Sequence, residues 1–215
     1  MELRRVFPAG LTADALRDRL AGQTGGKVRG YGVRGDNDLS PQTVQVVGPY
    51  KPAAVLVPIV MRPEPTLLLT QRTDHLPHHP GQISFPGGRI EPEDPHPEAA
   101  ALREAWEEIG LDPAAVELLG RLDAYRTVTA YEVTPVVALV HPPFDLALDA
   151  HEVADAFEVP LTFLLDRRNH ERRGRETPTG RRDYWAMPWG ERFIWGATAG
   201  MLVNLTDVLV GPSAP

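Results

Sequence analysis

Two apolar runs, AAVLVPIV (53–60) and TLLLTQR (66–72), have the length and composition of strands, and Met61-Arg-Pro-Glu-Pro65 between them predicts a hairpin. Upstream, Leu11, Ala15, Leu16 and Leu20 recur at helical spacing behind a capping Thr12. A polar, glycine-rich stretch from Gly22 to about Gly48 has little periodicity and reads as an extended connection. Prolines at 77, 80 and 86 forbid a long helix there, so QISF (82–85) can be only a short strand. A helix is expected from Pro97, which suits a first turn, to near Gly110. VELLGRLDAYRT (116–127) and EVTPVVALV (132–140) read as strands, and HEVADAFEVPLTFLLD (151–166) as a helix interrupted at Pro160. A hairpin is expected over 168–187, turning at Pro178-Thr-Gly180, and an apolar helix over 193–210. Strands and helices are mixed without strict alternation, and no internal repeat occurs. The pattern predicts an α/β (α+β mixed) fold, a mixed sheet flanked by helices.

At 215 residues the chain is one generous domain or a domain with an extension. The expected division is an N-terminal helix and extended connection (1–50) packed on a main domain (51–215). A formal charge of −7 argues against a general nucleic-acid binder. The absence of cysteine excludes disulfides, thiolate metal sites and cysteine nucleophiles. No apolar signal core opens the chain and no run approaches a membrane span, so neither membrane nor nucleic acid is expected as a partner, and a cytoplasmic location is.

The chemistry concentrates on one helix. Glu104, Glu107 and Glu108 share a side of it, with Arg103 beside Glu107, whereas Leu102, Ala105, Trp106 and Ile109 are expected to pack inward. Each like-charge pair at this spacing costs the helix roughly 0.2–0.5 kcal/mol. Glutamate-rich helix faces are mostly solvated surface, but this one follows a Phe85-Pro-Gly-Gly88 turn that permits close backbone approach to a ligand. Oxygen-only ligands of this kind suit Mg2+ or Mn2+ rather than zinc. Glu104 and Glu108, one turn apart, are the first choice of ligands, with Glu107 close behind. Arg103 holds Glu107 and moderates the carboxylate repulsion.

Counted from Gly88, the pattern G-x5-D-x8-R-E-A-W-E-E-I-G-L resembles the Nudix box of nucleoside-diphosphate-X hydrolases. The resemblance implies the Nudix fold, hydrolysis of a pyrophosphate bridge, and metal binding by Glu104, Glu107 and Glu108. It also implies a further glutamate from a late loop, and Glu152 is the candidate; the alternative is a helix N-terminal acid favoured by the macrodipole. The box is one residue longer than the general form between Asp94 and Arg103, so either the loop carries an insertion or Glu93 takes the acid's place.

Leu68-Leu-Thr-Gln-Arg72 followed by Gly81-Gln-Ile-Ser-Phe-Pro-Gly-Gly88 is similar to the extra motif of coenzyme A pyrophosphatases. That resemblance runs from about residue 52 to 203. It implies cleavage of coenzyme A or its thioesters to 4′-phosphopantetheine, or its acyl form, and adenosine 3′,5′-bisphosphate. Thr73 and Pro77 depart from the motif, the second by removing a cation. Alternatives are a Nudix enzyme for ADP-ribose or NADH, and a non-catalytic nucleotide-binding scaffold.

The candidate catalytic set is thus Glu104, Glu107, Glu152 and Arg103, and the candidate substrate contacts are Arg72, Gly87, Gly88 and His79. The histidines at 75, 78, 79 and 96 lack the spacing and companions of a metal site. The stretch 166–182 is the basic cluster, netting +4, and reads as a solvated hairpin or as a grip on an extra phosphate. Oligomeric state is left open.

Overall fold

The computed structural model describes residues 12–20, 33–40, 48–76, 80–178 and 180–211. Helix α1 (Ala13–Leu20) is followed by strands β1 (Arg34–Gly35), β2 (Lys51–Val60), β3 (Thr66–Arg72), β4 (Ile83–Ser84) and β5 (Gly87–Arg89). Helix α2 (Pro97–Ile109) leads to β6 (Val116–Arg121), β7 (Tyr125–Arg126), β8 (Tyr131–Val140) and β9 (Val153–Pro160). A short α3 (Leu161–Leu164), the strands β10 (Glu171–Thr177), β11 (Gly180–Trp189) and β12 (Arg192–Trp195), and α4 (Gly196–Val210) complete the described chain.

The large sheet runs β1-β7-β8-β2-β3-β4, with β5 joined to β2, β6 to β8 and β9 to β3. It is mixed: β2 and β8 lie parallel in register from Lys51–Tyr131 to Val60–Val140, whereas β3 and β9 are antiparallel. Side chains alternate between two cores. Ala53, Val57 and Ile59 join Leu67, Leu69, Val137 and Leu139 on the side of α1 and α4. Ala54, Leu56 and Val60 join Leu68, Val136 and Ala138 on the side of α2. Burial on both faces is why these strands read as unbroken apolar runs rather than as alternation. The expected mixed sheet between helices is the observed fold.

The 53–60/66–72 hairpin forms, but β2 and β3 pair only next to its turn, Ile59 with Leu67 and Val60 with Thr66. Farther along, Ala53–Val55 pair instead with Gly87–Arg89, which brings the glycine turn into the sheet beside β3. On the other side of β3, the stretch expected to be helical is β9, paired along Thr66–Arg72. Its apolar residues suit either state, and β3's open hydrogen-bonding edge decides for the strand. Helix follows only as the four residues of α3.

Two further expectations need correction. The run 116–127 is two strands, β6 and β7, both paired with β8 and interrupted at 122–124. The run 193–210 begins as β12, and the helix starts only after Trp195, whose backbone is extended. The hairpin expected over 168–187 is present as β10–β11, which with β12 forms a small antiparallel sheet; Thr179 of its expected turn lies outside the described residues. Leu16 and Leu20 of α1 are buried in the same core as α4, and Arg17 of α1 pairs with Glu117 at 2.7 Å. Among the described residues no helix is long and apolar enough to cross a membrane.

Candidate active site

Helix α2 is held at both ends. His96 caps its start, its Nδ1 accepting from the Ala99 amide at 3.2 Å ahead of Pro97. At its end Gly110 adopts φ 65°, donating to Trp106 O at 2.9 Å while Leu111 donates to Ala105 O. Ala101, Ala105, Glu108 and Ile109 are buried, and Trp106 is 54% exposed. The inward packing expected of Trp106 is therefore wrong. At about 100° per residue, Trp106 lies roughly 115° from the middle of the buried arc and Glu108 only about 45° from it. The helix thus carries Glu108 into the protein, Glu104 to the rim and Glu107 outward.

Strand β5 receives the first two. The Gly87 amide donates to Glu108 Oε2 at 3.1 Å. A Cβ on Gly88 would lie 2.5 Å from the Glu104 carboxylate, so only glycine leaves that carboxylate its seat. Arg72, at the end of β3, faces the same place: its guanidinium is 3.9 Å from Glu108 Oε1 and 3.8 Å from Glu152 Oε2. These are ion-pair separations too long for hydrogen bonds.

Glu152 sits in a turn just before β9, so its reading as a helix N-terminal acid falls. The turn is stitched to both neighbours. Asp149 donates its amide to Glu108 O at 2.9 Å and accepts from the amides of Glu152 and Val153. Thr73 donates its amide to Glu152 O and its hydroxyl to His151 O, each at 3.0 Å.

Arg103 bridges the acids. It donates to Glu107 at 2.9 Å, to Glu104 at 3.0 Å, to Asp94 at 2.9 and 3.2 Å, and to the Arg89 carbonyl at 3.1 Å. Of the two candidate acids, Asp94 pairs with Arg103 at 2.9 Å, whereas Glu93 is exposed.

Electrostatics divide the group. Burial, opposed by the Gly87 N–H and reinforced by Glu104 and Glu152, pushes the Glu108 carboxyl up to about 8. Burial also raises Glu104, against the pull of Arg103. The Arg103 guanidinium, with the Glu91 amide, holds Asp94 below the usual carboxylate range. The buried Glu108 has no cation among the described residues closer than Arg72 at 3.9 Å, and a hard cation beside it would favour its charged form. Among the described residues no three carboxylate or imidazole groups are drawn together as tightly as a bound ion draws them; Arg103 occupies Glu104 and Glu107 instead.

The structure therefore brings together Arg72, Gly87, Gly88, Arg103, Glu104, Glu108 and Glu152. Glu107 is joined to this group only through Arg103. His79 lies outside the described residues. The arginines of 167–182 are largely engaged: Arg167 with Asp207, Arg168 with Asp166, Arg172 and Arg181 with Asp183, Arg173 with Glu171 and Arg182 with Asp36. Sequence reasoning missed the loop 147–149 as the brace of Glu152, and Asp149 two residues before His151 was the available signal of a turn.

The NUDIX domain family matches residues 50–179. The chain belongs to the Nudix hydrolase family. A relative from Escherichia coli strain K12, named as the uncharacterized Nudix hydrolase NudL, is 42% identical over 171 residues, covering 78% of this chain and 87% of its own. Its counterpart from strain O7:K1 matches equally. Among solved structures, the NUDIX domain of Shewanella oneidensis NrtR in complex with ADP-ribose is 17% identical, covers 79% of this chain and 92% of its own, and superposes with a TM-score of 0.46. A Caenorhabditis elegans Ap4A hydrolase is 24% identical over 51% of this chain and 80% of its own, with a TM-score of 0.43.

Proposed function

We propose that this Nudix hydrolase cuts the pyrophosphate bridge of coenzyme A or its thioesters, using Mg2+ or Mn2+. The observation that carries the hydrolytic part is the meeting of Glu104 and Glu108 of α2 with Glu152 of a distant loop around Arg72 and the Gly87–Gly88 edge. The substrate assignment rests on the motif 68–88, whose Arg72, Gly87 and Gly88 all belong to this group.

Glu104 and Glu108 would hold the cation, and the all-oxygen, charge-deficient donor set fits a hard divalent ion. When bound, such an ion supplies charge neutralisation of phosphate oxygens and Lewis acidity toward water. Arg72, about a quarter exposed, can turn from the carboxylates to a phosphate oxygen without leaving its strand. The Gly87–Gly88 backbone lets the diphosphate approach without a side chain in its way. Glu152, half exposed and unburdened by a short hydrogen bond, would take the proton of the attacking water. Attack at one phosphorus breaks its bond to the bridging oxygen, which leaves on the other phosphate, so two phosphate monoesters result. Arg103 positions Glu104 and Glu107 and contacts no reacting atom.

The test is product identification after separate incubation with coenzyme A, ADP-ribose and NADH, with Mg2+ or Mn2+, beside a Glu108→Gln variant. Phosphopantetheine and adenosine 3′,5′-bisphosphate, formed fastest of the three product sets and lost in the variant, are expected. Cleavage of ADP-ribose or NADH with coenzyme A left whole would retain the hydrolase and discard the substrate. No cleavage of any of the three would leave a nucleotide-binding scaffold.

A further inference from the structure

On the opposite face of β5 from Glu104, two cations converge on one ring. Lys51 Nζ lies 5.8 Å and the Arg89 guanidinium carbon 5.9 Å from the centre of Tyr131. Their register explains this. Lys51 pairs with Tyr131, and Ala53, two residues along β2 on the same face, pairs with Arg89. The methyl of Ala53 leaves room for the ring to reach across the strand.

Like charges gathered around one ring repel unless something compensates them. Among the described residues, Arg19, Lys51, Arg89 and Arg175 are the cations with no carboxylate in ion-pair range, and Lys51 and Arg89 are the two of these that share a ring. The neighbouring Arg126 is satisfied by Glu132 at 2.9 Å. The extra-phosphate role considered for the 166–182 hairpin thus meets arginines already engaged except Arg175, which has no second such cation on a shared ring, whereas Lys51 and Arg89 are exposed and share Tyr131.

Position links the pair to the active site. Arg89 follows Gly88, about 3.8 Å along the backbone, and β5 joins the sheet only through β2. A substrate crossing the free edge of β5 can place its diphosphate against Gly88 and a second phosphate on the far face.

We propose that Lys51 and Arg89, gathered around Tyr131, bind a phosphate monoester of the substrate that lies apart from the scissile diphosphate, a proposal that rests on the function given above. The two cations supply the charge, Arg89 the bidentate geometry, and the Tyr131 ring a shared neighbour within about 6 Å of each.

Coenzyme A and dephospho-coenzyme A differ only in such a phosphate. The test measures KM for both with the wild type, Lys51→Gln/Arg89→Gln, and the charge-conserving Lys51→Arg/Arg89→Lys. Beside it, calorimetry compares adenosine 3′,5′-bisphosphate with AMP on the same proteins. The wild type is expected to favour the phosphorylated member of each pair by about tenfold, the combined gain of two exposed ion pairs. That ratio should fall to near one in the neutral double variant and return in the charge-conserving one. Coenzyme A cleaved with a ratio that the neutral variant does not change would overturn the site and leave the function standing. If neither coenzyme is cleaved, the calorimetric ratio still decides: its loss in the neutral variant upholds the anion site while the function fails, and its absence from the wild type overturns both.

Discussion

Gly88 and Glu104 are fitted to each other: the carboxylate occupies the space that a Cβ on residue 88 would take, 2.5 Å away. Gly87, one residue earlier, fits backbone instead. A Cβ there would lie 2.4 Å from Ala54 O, and its φ is 151°.

Adjacent glycines should therefore fail in different ways. In Gly88→Ala the clash is with the tip of a flexible side chain, so stability should change by under about 1 kcal/mol. Glu104 is displaced, and a misplacement of about 1 Å can cost on the order of a hundredfold in rate. Gly87→Ala pushes backbone against backbone in a conformation L residues avoid, and should cost about 1–3 kcal/mol of stability. Denaturant midpoints and kcat, measured together, separate the two; equal loss of stability in both would refute the seat for Glu104.

Glu108→Gln keeps an acceptor for the Gly87 amide and removes an acid whose charged form burial disfavours. The metal-free variant should melt no lower than the wild type, because glutamine has no charged form for burial to penalise. Activity should fall by on the order of a hundredfold or more, and the rise in Tm with Mn2+ expected of the wild type should be absent. A variant with the full Mn2+ response would remove Glu108 from the ligand set.

Asp94→Asn should lower Tm and kcat together, since Arg103 loses the partner that aims it at Glu104. Glu93→Gln should alter neither. The reverse order would assign the anchoring acid to Glu93.

The attachment of α1 should depend on pH. The Arg17 guanidinium, helped by His141, holds Glu117 down to about 2. The folded value lies below the unfolded one near 4.5, so this contribution is complete above about pH 4.5 and is lost as pH falls toward 2. A Tm profile between pH 5 and 3 should be flatter in Arg17→Ala, and the difference should shrink in high salt because the pair is exposed. Parallel profiles would show that Glu117 does not read Arg17.

Helix α2 was legible because its evidence is local: a first-turn proline, a run of good helix formers and a C-terminal glycine all act within one turn. The same reasoning misread 153–160, where the choice between helix and strand belonged to the open edge of β3. Trp106 failed for a related reason. Periodicity marks an apolar residue as available for burial, whereas the width of the buried arc depends on what packs there, and the sheet reached Glu108 rather than Trp106. The two candidate acids at 93 and 94 could be separated only by seeing which one meets Arg103.

Composition, motif spacing and apolar patterning by themselves determined that the chain forms a mixed α/β domain of the Nudix type with its acids on one helix. These signals are carried by neighbours in sequence, within reach of a turn or a strand repeat. Tertiary structure alone decided that β5 inserts beside β2, that Glu152 meets Arg72, and that Lys51 and Arg89 share Tyr131. Those contacts join residues tens of positions apart, and they depend on which strand edge is left open for which partner.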